Sequence, residues 1–239
     1  STMGVAHTDG RVLMLDSQGR EIRTLRARGG SVAVGLVFGA DGRDLISIDR
    51  DSVAQGWNID TGERHFTLRG HEQGLRAVAA SRSGAVVVTG GEGARVLTWD
   101  GNNGQLRQVM HAGDFINALS VSPDGRLVAS GGADARVLVW ETASGKLLLT
   151  LLGHAGEVSA VSFSPDGRLI ASAGDDGKVL IAQAGVWFSG LHGMLWIEDL
   201  GWIKLSDFFR TQGVAEAYRY GLDAPGSING AGNQMVGGI

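Results

Sequence analysis

Apolar and polar residues alternate in short runs separated by glycine-rich turns, which is the pattern of half-buried strands. The clearest stretch begins at Val158, Ala160, Val161 and Phe163, reverses at Ser164-Pro165-Asp166-Gly167, and returns as Leu169-Ile170-Ala171-Ser172. That is a β-hairpin. A second turn, Gly174-Asp175-Asp176-Gly177, leads into a third strand, and a fourth follows a glycine turn such as Ser144-Gly145 before Leu147 to Leu151. Strands two and three are almost wholly apolar, as expected when both faces of a sheet are covered. Glycine supports many tight turns: 39 residues of 239 are glycine and only 3 are proline, and glycine is the residue that reaches positive φ without strain.

The four-strand pattern repeats. HAGDFINALSVSPDGRLVASGGADARVLVW from His111 is followed by HAGEVSAVSFSPDGRLIASAGDDGKVLIA from His154 and preceded by HEQGLRAVAASRSGAVVVTGGEGARVLTW from His71, with a fainter copy from Gly29 to Trp57. His71 to His111 is 40 residues and His111 to His154 is 43, the period of one four-stranded propeller blade. The Gly-His entries at Gly70-His71 and Gly153-His154, the Ser-Pro-Asp-Gly turns at Ser122 and Ser164, and Trp57, Trp99 and Trp140 resemble the WD-repeat β-propeller family over about residues 5–182. That resemblance implies a buried hydrogen-bonded set of His, Ser or Thr, Asp and Trp in each blade. His111, Ser130, Asp134 and Trp140 match all four places. The others are incomplete: His71, Thr89 and Trp99 stand with Gly93; Ser47, Asp51 and Trp57 with Gly29; His154, Ser172 and Asp176 with Ala182. Recurring Ser, His and Asp are read as structural, since buried polar groups must be paired, whereas a nucleophile has to be unique and exposed.

Beyond Ala182 the repeat style changes. His192-Gly193-Met194-Leu195-Trp196 and the Ile228-Asn229-Gly230-Ala231-Gly232 turn resemble bacterial extracellular HAF-type repeats over about residues 183–239. In strand grammar, Trp196 sits like a third-strand Trp and Ile203 to Leu205 like a fourth strand. Met194–Trp196 thus competes with Lys178–Gln183 for the third-strand place, so one of the two is an extra or displaced strand. Asp9 to Asp16 reads as a turn and third strand without its hairpin, and the final SINGAGNQMVGG as a hairpin without its third strand. Joined, they complete one blade, with Val12 to Leu15 pairing with Gln234 to Gly237. The expected fold is therefore all-β: a single domain over residues 1–239, closed from five four-stranded antiparallel blades, one shared between the two ends. A fragment completing its ring with another chain is the alternative. Residues 206–222 read as a helical insertion whose aromatics Phe208, Phe209, Tyr218 and Tyr220 either pack on the propeller or form a partner-binding lid.

A net charge of -4 with both signs dispersed leaves no basic stripe for nucleic acid. The chain lacks cysteine, which removes disulfides and thiolate chemistry. No apolar run reaches the roughly 20 residues of a membrane helix, and no charged-then-apolar leader opens the sequence. His7, His65 and His192 stand alone, so neither metal nor cofactor is expected, and Asp-Gly pairs are read as hairpin turns rather than calcium ligands.

The expected function is a non-enzymatic scaffold for a protein or peptide partner, monomeric if the ring closes. Its docking face carries Arg76, Asp114, Asn117, Glu157 and Ser159, which vary from blade to blade. Two alternatives are a small-ligand or hydrolytic propeller using the channel mouth, and an engineered or recombined propeller without a partner. The compartment stays open between bacterial cytoplasm and periplasm or exterior.

Overall fold

The structure, a computed structural model, describes residues 2–7, 9–26, 32–39, 42–184, 194–197 and 201–204. Every regular element among them is a strand, and all pairings are antiparallel. Five sheets follow one another along the chain. The first holds β1 (Met3–Ala6), β2 (Arg11–Leu15) and β3 (Glu21–Arg26); the second β4 (Ala33–Phe38), β5 (Asp44–Asp49), β6 (Val53–Asn58) and β7 (Arg64–Arg69). The third holds β8 (Leu75–Ala80), β9 (Val86–Gly91), β10 (Arg95–Asp100) and β11 (Leu106–His111). The fourth holds β12 (Ile116–Val121), β13 (Leu127–Gly132), β14 (Val137–Glu141) and β15 (Leu147–Leu151). The fifth has five strands: β16 (Val158–Phe163), β17 (Leu169–Gly174), β18 (Val179–Gln183), β19 (Met194–Ile197) and β20 (Gly201–Lys204).

The first hairpins of the fourth and fifth sheets are built by their own side chains. Ser122 Oγ donates to Asp124 and accepts the Leu127 amide at 2.9 Å, Asp124 accepts the Arg126 amide at 3.0 Å, and Gly125 takes φ +75°. Ser164, Asp166 and Gly167 repeat this turn. The Asp-Gly carboxylates are thus committed to their turns.

The core lies between sheets. Each of four buried clusters draws on two successive sheets, for example Val88, Val96 and Met110 with Ile116, Val128 and Trp140. Close approach fixes small residues at these seams: a Cβ on Gly131 would meet Val158 Cγ1 at 2.5 Å, and one on Gly90 would meet Ile116 Cγ2 at 2.9 Å.

Three expectations are corrected. The competition for the third-strand place resolves in favour of β18, which pairs with β17; Met194–Ile197 takes the fourth place beside β18, and Gly201–Lys204 is a fifth strand. The reason is adjacency: β18 follows β17 through a four-residue turn and occupies its free edge first. Val12–Leu15 does not await Gln234–Gly237, because β1 pairs along one edge, Met3 to Leu15 and Ala6 to Val12, and β3 along the other. A strand has two edges, and both are filled. The first sheet therefore already has its second strand, in residues that lie just before the turn and strand expected from Asp9 to Asp16. Gln234–Gly237 and the 206–222 insertion lie outside the described residues. Among the described residues, no pairing joins the first sheet to the fifth.

Candidate functional site

The innermost strands β4, β8, β12 and β16 each carry a register shift near their start, between Ala33 and Gly35, Leu75 and Ala77, Ile116 and Ala118, and Val158 and Ala160. A bulge re-aims the extra residue out of the ladder. The extra residues are Val34, Arg76, Asn117 and Ser159, and all four line one central cavity of about 590 Å3, open solvent included. Below them Leu36, Val78, Leu119 and Val161 form its apolar wall.

Polar side chains bridge this rim from sheet to sheet. Arg76 donates to Glu92 at 3.2 Å and to Asn117 Oδ1 at 3.0 Å, and Asn117 Nδ2 donates to Glu157 at 3.0 Å. The guanidinium stands 5.5 Å from the centroid of the Phe115 ring, which is 42% exposed. One continuous chain of contacts, Glu92–Arg76–Asn117–Glu157, thus spans three successive sheets. Of the five residues expected on the docking face, Arg76, Asn117 and Ser159 line the cavity and Glu157 is tied to Asn117. Asp114 turns away: its carboxylate accepts the Phe115 amide at 2.7 Å and borders the neighbouring cleft with Ser130 and Asp134. Sequence reading missed Val34, Glu92 and Phe115. Repeat alignment places Phe115 opposite Glu157, a polar-to-aromatic swap just before the inner strand that was available as a signal.

The buried sets are built differently from blade to blade. Trp99 Nε1 donates to Thr89 Oγ1 at 2.8 Å, and His71 Nε2 meets the same hydroxyl at 2.8 Å. Burial, then the charge of Arg95, draws the His71 pKa down to about 4, so the ring is neutral at pH 7. His154 contacts Ser172 at 2.9 Å through Nε2 and Asp176 at 3.0 Å through Nδ1. Burial alone would raise the Asp176 pKa; the Ala155 amide, His154 and the Lys178 amide outweigh it and bring the group to about 2. Trp57 donates to Ser47 at 2.8 Å and Trp140 to Ser130 at 3.1 Å.

Two members of these sets are corrected. His111 does not join Ser130, Asp134 and Trp140; it ends β11 opposite Arg95 and is exposed. Its link to the next sheet is one residue shorter, since Met110 and Ile116 are six apart whereas Leu68 and Leu75 are seven apart. Ala112 therefore reaches the buried place, and Asp134 pairs with Arg136 at 2.6 Å instead. Asp51 is likewise replaced by Asp49, which is 4% exposed and accepts the Asp51 amide at 3.0 Å. Asp49 stands where the later sheets have Gly91, Gly132 and Gly174. At Gly174 a Cβ would collide with the His154 ring at 2.6 Å, and at Gly91 with the Gly74 carbonyl oxygen. Burial pushes the Asp49 carboxyl upward.

Comparison with known proteins places three WD domain, G-beta repeats at residues 62–100, 104–141 and 145–181. The first runs from β7 through β10, so each sequence repeat contributes an outermost strand to one sheet and three inner strands to the next. The chain is 34% identical over 75 residues to small ribosomal subunit protein RACK1 of Drosophila melanogaster, covering 31% of this chain and 24% of that protein. It is 27% identical over 126 residues to the Denticleless protein homolog of Xenopus tropicalis, covering 49% of this chain and 18% of that protein. The chain thus spans about a quarter or less of the length of the curated relatives it matches. The all-β sheets, the Gly-His, Ser-Pro-Asp-Gly and Trp signatures and these matches agree: residues 62–181 carry three WD repeats arranged as propeller-like blades.

Proposed function

We propose that this chain is a non-enzymatic interaction scaffold that docks a protein or peptide partner across the mouth of the central cavity. The observation that carries this reading is the bridged rim, Glu92–Arg76–Asn117–Glu157 with the exposed Phe115 ring. Side chains linked across three rigid sheets are held in place before a partner arrives, which lowers the entropy cost of binding. Arginine and aromatic residues are also the types that dominate interface energetics. The Ser-His-Asp sets serve the fold instead, with the His154 and Asp176 side chains only 2% and 7% exposed. One relative is by name a small ribosomal subunit protein. The space the cavity offers to water-sized molecules, about 300 Å3, lies at the lower end of the roughly 300–1,000 Å3 of small-ligand pockets and supports a second reading, a small ligand at the channel mouth. A metabolite thermal-shift screen tests it.

The scaffold reading is tested by capture on the immobilised chain. Phe115→Ala with Glu157→Lys should lower the amount of each specifically retained partner by about tenfold or more, as loss of two interface anchors implies. Both residues are at the surface, so the melting temperature should change little. Undiminished capture of every partner by a folded double variant would refute docking at this rim, and Asp114→Lys, turned to the adjoining cleft, serves as the internal comparison.

A further inference from the structure

We propose that the recess between the fourth and fifth sheets, where Ala182 stands, is a binding site for a small ligand of the indole class. In the three preceding sheets the third strand carries a tryptophan whose Nε1 donates to a buried hydroxyl: Trp57 to Ser47, Trp99 to Thr89 and Trp140 to Ser130. Ala182 holds that register in the fifth sheet, opposite Ile170 as Trp140 is opposite Val128. The walls of the tryptophan site remain. Val137, Leu151, Ile170 and Leu180 line the recess with Ala182, in the registers that Val96, Met110, Val128 and Leu138 hold in the cluster around Trp140. The hydroxyl remains too. Ser172 meets His154 Nε2 at 2.9 Å, and Thr89 shows that a hydroxyl in this contact also accepts an indole N–H, since it serves His71 and Trp99 together. Ser172 thus keeps a lone pair for a donor, and only the ring is missing.

The recess is refilled only in part. Leu25, Leu68 and Met110 on the outermost strands cluster with Trp57, Trp99 and Trp140 and are 2%, 2% and 1% exposed. Leu151 holds the same register in the fourth sheet and is half-buried. Leu152 turns into the space: it lines the recess and is half-buried, whereas Arg69 and His111, one residue past Leu68 and Met110, are exposed. About 10 Å3 is left to water-sized molecules, the room of a single water. A ring therefore enters as Leu152 swings out to the exposed place of Arg69 and His111, and apolar burial against the walls replaces the leucine contact. The polar group sets the chemical class. The recess is shaped for a bicyclic aromatic ring with one N–H directed at Ser172 Oγ, and a site that pairs a buried hydroxyl in this way rejects isosteres without the donor. No lining residue is shared with the central cavity.

Calorimetric titration and thermal shift of the full chain with indole test the site. Indole should raise the melting temperature in proportion to its occupancy. Benzofuran, with an oxygen in place of the N–H, should bind about tenfold more weakly, as loss of one buried hydrogen bond implies. Leu152→Ala should tighten indole binding by about threefold or more, because the wall that has to move is gone. Ala182→Trp supplies the ring from the chain itself and should abolish the response. Absence of indole binding to both the parent and Leu152→Ala up to the solubility limit would overturn the proposal. So would equal affinities for indole and benzofuran, or a response that survives in folded Ala182→Trp. The first two outcomes need no tryptophan variant, so a misfolded Ala182→Trp leaves the test intact. The Phe115→Ala, Glu157→Lys double variant should keep the full indole response, and its loss there would assign the ligand to the docking rim instead.

Discussion

Thr89 shows how much one hydroxyl can hold. It is fully buried and serves both Trp99 and His71, while Ser47 in the preceding sheet serves Trp57 at 2.8 Å. Thr89→Ala leaves two buried polar groups unpaired and should cost about 1–3 kcal/mol. Denaturant midpoints should show a larger loss than for Ser47→Ala. His71 adds a pH dependence whose sign is fixed by its depressed pKa. An unfolded histidine titrates near 6.5 and the folded one near 4, so between those values the unfolded chain binds a proton that the folded chain refuses. Stability is complete above pH 6.5 and declines as pH falls toward 4. Unfolding free energies measured across this window should fall more steeply for the parent chain than for His71→Gln.

At the scale of the element, the seams between sheets carry the packing. Gly131 admits Val158 and Val161 of the next sheet, with a Cβ there only 2.5 Å and 3.0 Å from their methyl carbons. Gly131→Ala should therefore destabilise by about 1–3 kcal/mol through overpacking, read as a drop in melting temperature. A Cβ at Gly19, by contrast, meets nothing within 4 Å, and its φ of +75° makes any cost there one of backbone strain alone. The inner-strand bulges are the functional counterpart of these seams. They turn Val34, Arg76, Asn117 and Ser159 into the cavity while the residues on either side, such as Leu75 and Ala77, remain buried.

Across the molecule, clusters form between neighbouring sheets, so energetic coupling should be short-ranged as in other repeat arrays. Thr89→Ala acts in the third sheet at its contact with the second, through Trp99, and Gly131→Ala at the seam between the fourth and fifth. Their effects on unfolding free energy should add within about 0.5 kcal/mol. A larger departure would show that strain crosses the intervening sheet.

Strand type, the four-strand period and the Ser-Pro-Asp-Gly turns were legible in the sequence, because each depends on neighbours within a few residues: alternation sets the buried face, and a turn Asp bonds amides two positions away. Ser130 and Trp140 were placed correctly by the same local spacing. His111 was not, because the link between Met110 and Ile116 is one residue shorter, which leaves His111 at the end of its strand and brings Ala112 to the buried place, and similar letters conceal it. Nor could local pattern foresee that Asp49 would replace Asp51, because the room at that position is set by the link and strand packed against it, as the contacts at Gly91 and Gly174 show. Which strands pair at the two ends was likewise a tertiary decision. An edge goes to the strand that reaches it with the shorter connection, so β1 claimed Val12–Leu15 and β18 claimed β17, and repeat spelling alone carries no measure of that competition.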